Sequence, residues 1–86
     1  MYENINQQVQ VIAIFGLEYK KVRPFKMEWH GREFLIKEVT YTRKYKEGQT
    51  IWHVFSGTDG ISFFELKYDS YGLKWILGRV SDNDAH

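Results

Sequence analysis

Apolar and polar residues alternate along most of this chain, and Gly, Asp and Asn interrupt the alternation at intervals. That is the pattern of β-strands joined by short turns. Residues 9–15 form the first run. Val9, Val11, Ala13 and Phe15 share one face, while Ile12 and Ile14 make the other face apolar too, so this strand is expected to be covered on both sides. Residues 2–8 ahead of it are polar and are expected to fray. Gly16 ends the run, and residues 17–22 read as a loop or a short edge strand.

Residues 23–29 send Phe25, Met27 and Trp29 one way and Lys26 and Glu28 the other. Pro24 has no N–H to give a ladder, so the strand begins at an edge or pairs only after Pro24. His30-Gly31 is a two-residue hairpin link that accepts positive φ. The return strand, residues 32–45, is long and its phase slips: Phe34 and Ile36 lie at even positions, Val39 and Tyr41 at odd ones. A side-chain period of two then requires a bulge or bend near Lys37-Glu38.

Lys46-Glu47-Gly48-Gln49, Gly57-Thr58-Asp59-Gly60 and Asp69-Ser70-Tyr71-Gly72 mark three more turns. Between them, residues 50–56 put Trp52 and Val54 opposite Ile51 and Phe55, and residues 61–68 put Phe64, Leu66 and Tyr68 on one face. In the last strand, residues 73–80, Leu73, Trp75 and Leu77 oppose Ile76 and Val80. Links this short pair sequence neighbours antiparallel. The expected fold is all-β, an antiparallel meander of five to six strands, with a strongly bent sheet or a small partly closed barrel. It forms one domain over residues 1–86, with residues 1–8 and 82–86 as frayed tails.

Composition supports the β reading. Aromatics make up 17% of 86 residues, and alanine occurs only at Ala13 and Ala85, the reverse of a helix-building inventory. With no cysteine, disulfides, thiol catalysis and zinc–thiolate sites are excluded. The longest apolar run, residues 11–15, is too short for a bilayer span or a secretory signal. A cytoplasmic protein with no membrane association is the expectation.

Charge changes the picture more. The net charge is only +1, yet nine basic residues face three acidic ones between Lys20 and Lys46, a local excess of six. Within that stretch, Tyr41-Thr42-Arg43-Lys44-Tyr45-Lys46 interleaves rings and cations, as surfaces that stack bases and hold phosphates do. The candidate binding residues are Arg23, Lys26, Arg32, Tyr41, Arg43, Lys44, Tyr45 and Trp52. Trp29 and Trp75 fall in line with core residues; Trp52 does not, because both faces of its strand are apolar.

Candidates for chemistry are sparse. His30, His53 and His86 are not spaced to converge on a metal. Ser56, Ser62 and Ser70 lack a nucleophile elbow, and Glu65 and Asp69 are the only carboxylates set among aromatic neighbours. No enzyme activity, metal or cofactor is expected.

Read in order, Arg23-Pro24-Phe25, Trp29-His30-Gly31-Arg32-Glu33-Phe34-Leu35-Ile36, Trp52-His53-Val54, Asp59-Gly60-Ile61-Ser62-Phe63-Phe64-Glu65-Leu66 and Trp75-Ile76-Leu77-Gly78-Arg79-Val80 form a combined pattern. Over residues 22–81 it resembles a small uncharacterised bacterial β domain, which is similar to the C-terminal end of catalytically inactive Y-family DNA polymerase paralogues. The resemblance implies a non-enzymatic accessory module, with no catalytic residues to carry over, in a DNA-repair setting. The expected partner is another protein or a second copy of the chain. The alternative expectation is single-stranded nucleic-acid binding through residues 20–46.

Overall fold

The computed structural model describes residues 2–15 and 22–82. These form seven strands: β1 (Tyr2–Phe15), β2 (Val22–Trp29), β3 (Arg32–Leu35), β4 (Glu38–Glu47), β5 (Thr50–Thr58), β6 (Ser62–Asp69) and β7 (Lys74–Asp82). They make one sheet in the order β3-β2-β1-β7-β6-β5-β4, antiparallel at every pairing. The described residues contain no helix, so none that could cross a membrane.

The order is a meander whose first and last strands pair. Its free edges are β3 and β4, which follow one another in the chain. β1 serves both halves of the sheet: residues 2–9 pair with β7 and residues 10–15 with β2. The sheet is strongly curled. Phe34 on edge strand β3 and Phe64 on β6 bring their ring centres within 5.5 Å, whereas four strand spacings in a flat sheet span ~19 Å. Inside the curl lies the core of Met27, Ile36, Phe55, Phe64, Leu66, Trp75 and Leu77.

One expectation about architecture needs correction. The sheet has seven strands rather than five or six, because the long return strand splits at Ile36-Lys37 into β3 and β4. Of the two forms expected, the strongly bent sheet is the one found, and it does not close into a barrel. β3 and β4 are successive parts of one bent course, so they run in the same direction, and no ladder joins them. The two edges come together at the corner. There the Ile36 N–H donates to the Phe25 carbonyl on β2 (2.9 Å) and the Lys37 N–H to the Thr58 carbonyl on β5 (2.8 Å). Arg23 braces the corner, its Nη2 donating to the Ile36 and Lys37 carbonyls at 3.3 and 3.2 Å. Gly57 lets the strands approach: a Cβ there would lie 2.7 Å from Ile36 Cγ2 and 3.2 Å from the Glu38 carbonyl oxygen. Gly57 is thus buried inside β5 rather than in the turn assigned to it, which begins after Thr58.

Bulges explain the other differences. Ala13 pairs with Pro24 and Ile12 with Lys26, leaving Phe25 as the extra residue. Pro24, not Phe25, is therefore buried with Met27, and Phe25 stays 43% exposed. Bulges are among the few places where a sheet tolerates Pro. A second bulge at Thr40, between the pairs Val39–Gly57 and Tyr41–Ser56, turns Tyr41 to the side opposite Val39. Residues 2–8 are strand rather than a frayed tail. Ile5 packs on the core, Asn6 absorbs a register shift at φ 52°, and the Arg79 guanidinium sits 4.6 Å from the Tyr2 ring centre. Asp82 likewise pairs with Ser62. β1 is not covered on both sides, since Ile12 and Ile14 are more than half exposed. Residues 16–21, with the cations Lys20 and Lys21, lie outside the described residues, as do residues 83–86; of the segment 17–22 read as a loop or edge strand, only Val22 is described, and it begins β2.

The His30-Gly31 link is as expected. Both residues have positive φ (55° and 74°), the conformation a two-residue type I′ turn requires, and Trp29 pairs with Arg32 across it.

Candidate binding faces

Register and the two-residue period assign each side chain to the inner or outer side of the sheet. Phe55, Leu66 and Leu77 pair in series and are core. One residue away lies the row Arg43–Val54–Lys67–Ile76, which faces outward. The next outer row is Tyr45–Trp52–Asp69–Lys74, and on the other flank lies Tyr41–Ser56–Glu65–Arg79. The outer surface of β4, β5 and β6 thus gathers Tyr41, Arg43, Tyr45 and Trp52. These are four of the eight candidates, from two strands that the sequence left unregistered.

On this face the cations lie against rings. The Arg43 guanidinium carbon is 5.5 Å from the Tyr45 ring centre, and Lys67 Nζ is 5.7 Å from that of Trp52, within the range of cation–π attraction. Neither cation has a carboxylate partner among the described residues, whose ion pairs are Lys26–Glu33 and Arg79–Glu65. Trp52 Nε1 donates to Glu47 Oε1 at 3.3 Å, which fixes the indole. Val54 is 1% exposed although it belongs to the outer row.

The other four candidates lie elsewhere. Lys44 sits on the inner side, paired with His53; burial and then the charge of Lys44 hold the His53 pKa below its usual value. Arg23 is occupied at the corner. Lys26 reaches Glu33 at 3.3 Å, and Arg32 lies over Phe34 at 5.1 Å. Lys67 was not among the candidates. Its only sequence signal is its place on the polar side of an alternating strand, and the β5–β6 register is what brings it to Trp52.

A second exposed surface lies on the outer side of β1, β2 and β3. Ile12, Lys26 and Leu35 form one row, and Ile14 pairs with Arg23 in another; Phe25 emerges at the bulge between them. The four apolar side chains are 43–56% exposed. An open groove of ≈ 430 Å³ borders them, lined by Gln8, Gln10, Ile12, Lys26, Glu28 and Glu33 among others.

The carboxylates singled out for chemistry have structural duties. Glu65 Oε2 accepts from Arg79 Nη2 at 2.8 Å, and Asp69 Oδ1 accepts the N–H groups of Tyr71 and Gly72 at 2.9 Å in the β6–β7 turn. Ser70 Oγ donates to the Ile51 carbonyl. Among the described residues, no three His, Cys, Asp or Glu side chains gather as metal ligands.

No family model, curated protein or solved structure matches this chain.

Proposed function

We propose that this chain is a non-enzymatic binding module that docks a protein surface on the outer side of β1–β2–β3. The observation that carries the reading is the cluster of Ile12, Ile14, Phe25 and Leu35, four large apolar side chains on neighbouring strands, each roughly half exposed. Apolar side chains gathered this way on a small domain mark interaction surfaces, whereas scattered ones do not. A DNA-repair setting belongs to the proposal only through the resemblance over residues 22–81.

A second copy of the chain is the partner that the chemistry of this face favours. Lys26 and Glu33 both lie on it and pair within one chain at 3.3 Å. A two-fold axis through the patch would bring each against its opposite in the other copy, as an isologous interface requires. Light scattering across a concentration series tests this. The expected result is a monomer–dimer equilibrium that Ile14→Asp shifts to monomer, with the circular dichroism spectrum unchanged. A chain that stays monomeric throughout, or a dimer that Ile14→Asp leaves intact, would remove this reading.

A further inference from the structure

The geometry points to a separate binding site for single-stranded nucleic acid on the outer surface of β4–β5–β6, with bases on Tyr41, Tyr45 and Trp52 and phosphates at Arg43 and Lys67. Three observations converge. Rings and cations alternate on one continuous surface, with Arg43 between Tyr41 and Tyr45 on β4 and Lys67 beside Trp52. Both cations lack a carboxylate partner among the described residues, so their charge is available to an anion. The rings are accessible as well: Tyr41 is 59% exposed, and Tyr45 and Trp52 are half-buried.

The spacing suits a single strand. Tyr41 and Tyr45 are four residues apart on one strand, ~13 Å at ~3.3 Å per residue. That separation leaves room for a base on each ring, which a single strand with its bases splayed apart can supply. Such a surface reads no base edges in a groove. It offers flat rings to bases that are not already paired, so single strands are favoured over duplex. An acidic protein would satisfy the two cations but leave three rings without flat partners. The site lies on a different part of the sheet from the apolar patch of β1–β2–β3, and its test is independent of that reading.

The experiment is fluorescence anisotropy of labelled oligo-dT and oligo-U, each about twelve nucleotides long, titrated with the full chain at about 50 mM salt. Binding to either oligomer is expected, weaker for a duplex of the same length. With two phosphates neutralised, log K should fall against log salt with a slope of about −1.4, so raising salt from about 50 to 200 mM costs about sevenfold. Tyr41→Ala, at an exposed position, should weaken binding about five- to 150-fold if a base stacks there. Arg43→Glu/Lys67→Glu should abolish measurable binding, whereas Lys44→Glu, one residue from Arg43 but on the inner side, should leave it within about twofold. No binding at about 50 mM salt, an equal loss with Lys44→Glu, or duplex bound as tightly as single strands would each overturn the proposal.

Discussion

Replacing Gly57 by Ala tests the corner that holds the two sheet edges together. The new methyl would sit 2.7 Å from Ile36 Cγ2 and 3.2 Å from the Glu38 carbonyl oxygen, whereas carbon atoms in contact prefer ~3.5–4.0 Å. Neither neighbour can yield easily. Ile36 is 2% exposed and its N–H is bonded to Phe25, while Glu38 follows Lys37, whose N–H is bonded to Thr58. Overpacking of this kind costs about 1–3 kcal/mol. Against it stands a gain of about 0.4–1 kcal/mol, because Ala restricts the unfolded chain more than Gly; the φ of Gly57 is not positive, so no backbone strain is added. The expected net loss is about 1–2 kcal/mol, which for a chain of this size lowers Tm by about 5–15 °C. Urea unfolding followed by tryptophan fluorescence would measure it. Ile36→Ala removes the struck methyl and is itself destabilising through its cavity. In the double variant the two losses should fall short of additivity by about 1 kcal/mol or more. A Gly57→Ala chain within about 0.5 kcal/mol of wild type, or strictly additive losses, would show that the corner is looser than the contacts imply.

Two further outcomes follow from single residues. Leu73 ends the β6–β7 turn at φ 57° and is 72% exposed, so it pays left-handed strain without burying its side chain; Leu73→Asn should raise stability by about 0.5–1 kcal/mol in the same urea assay, and a loss would contradict this. His53 binds its proton less tightly in the fold than its usual value of 6.5, first through burial and then through Lys44. The unfolded chain therefore takes up the proton first on acidification: the contribution of His53 is whole above about pH 6.5 and is lost as pH falls from there through the lowered folded value. NMR titration of the imidazole should show its pKa move up toward 6.5 in Lys44→Gln, and an unmoved value would exclude Lys44 as a cause.

Legibility in the sequence followed the mechanism behind each feature. The His30-Gly31 hairpin was readable because only a few residue types accept two consecutive positive φ values. The bend near Lys37 was readable because a phase slip reverses which residues are apolar. That this bend is a full break, with both edges bonded at the corner, was not readable, since a break and a bulge shift the phase alike. The bulge at Phe25 was hidden for a related reason: residues 23–29 alternate cleanly in sequence, and only the pairing with β1 reveals that Pro24 takes the inward place. Residues 2–8 were illegible because neither side of that segment is apolar, and pairing with β7 holds them. In the candidate site, parity alone separates Arg43 from Lys44, so that distinction was available. The convergence of Tyr45, Trp52 and Lys67 required registers of two hairpins, which no local pattern specifies.

The aromatic excess acquires a different meaning once its distribution is known. Had it served the interior, most rings would be buried, as expected for Trp29 and Trp75. Of the described rings, Phe55, Phe64 and Trp75 are buried and Trp29, Phe34 and Tyr68 pack against the core as half-buried residues, whereas Tyr2, Phe15, Phe25, Tyr41 and Tyr71 are exposed and Tyr45 and Trp52 lie half-buried on the outer side. β propensity explains rings on strands, because flat side chains suit a pleated surface. It does not explain why Tyr45 and Trp52 pair directly across β4 and β5 with cations against both, or why the β1–β2–β3 face instead carries Ile12, Ile14 and Leu35 with an internal ion pair. One end of the sheet carries Ile12, Ile14, Phe25 and Leu35 on its outer side, and the other carries Tyr41, Tyr45 and Trp52 with two cations that have no carboxylate partner among the described residues. That difference in chemistry is the ground on which we propose a protein partner for the first and a single strand for the second.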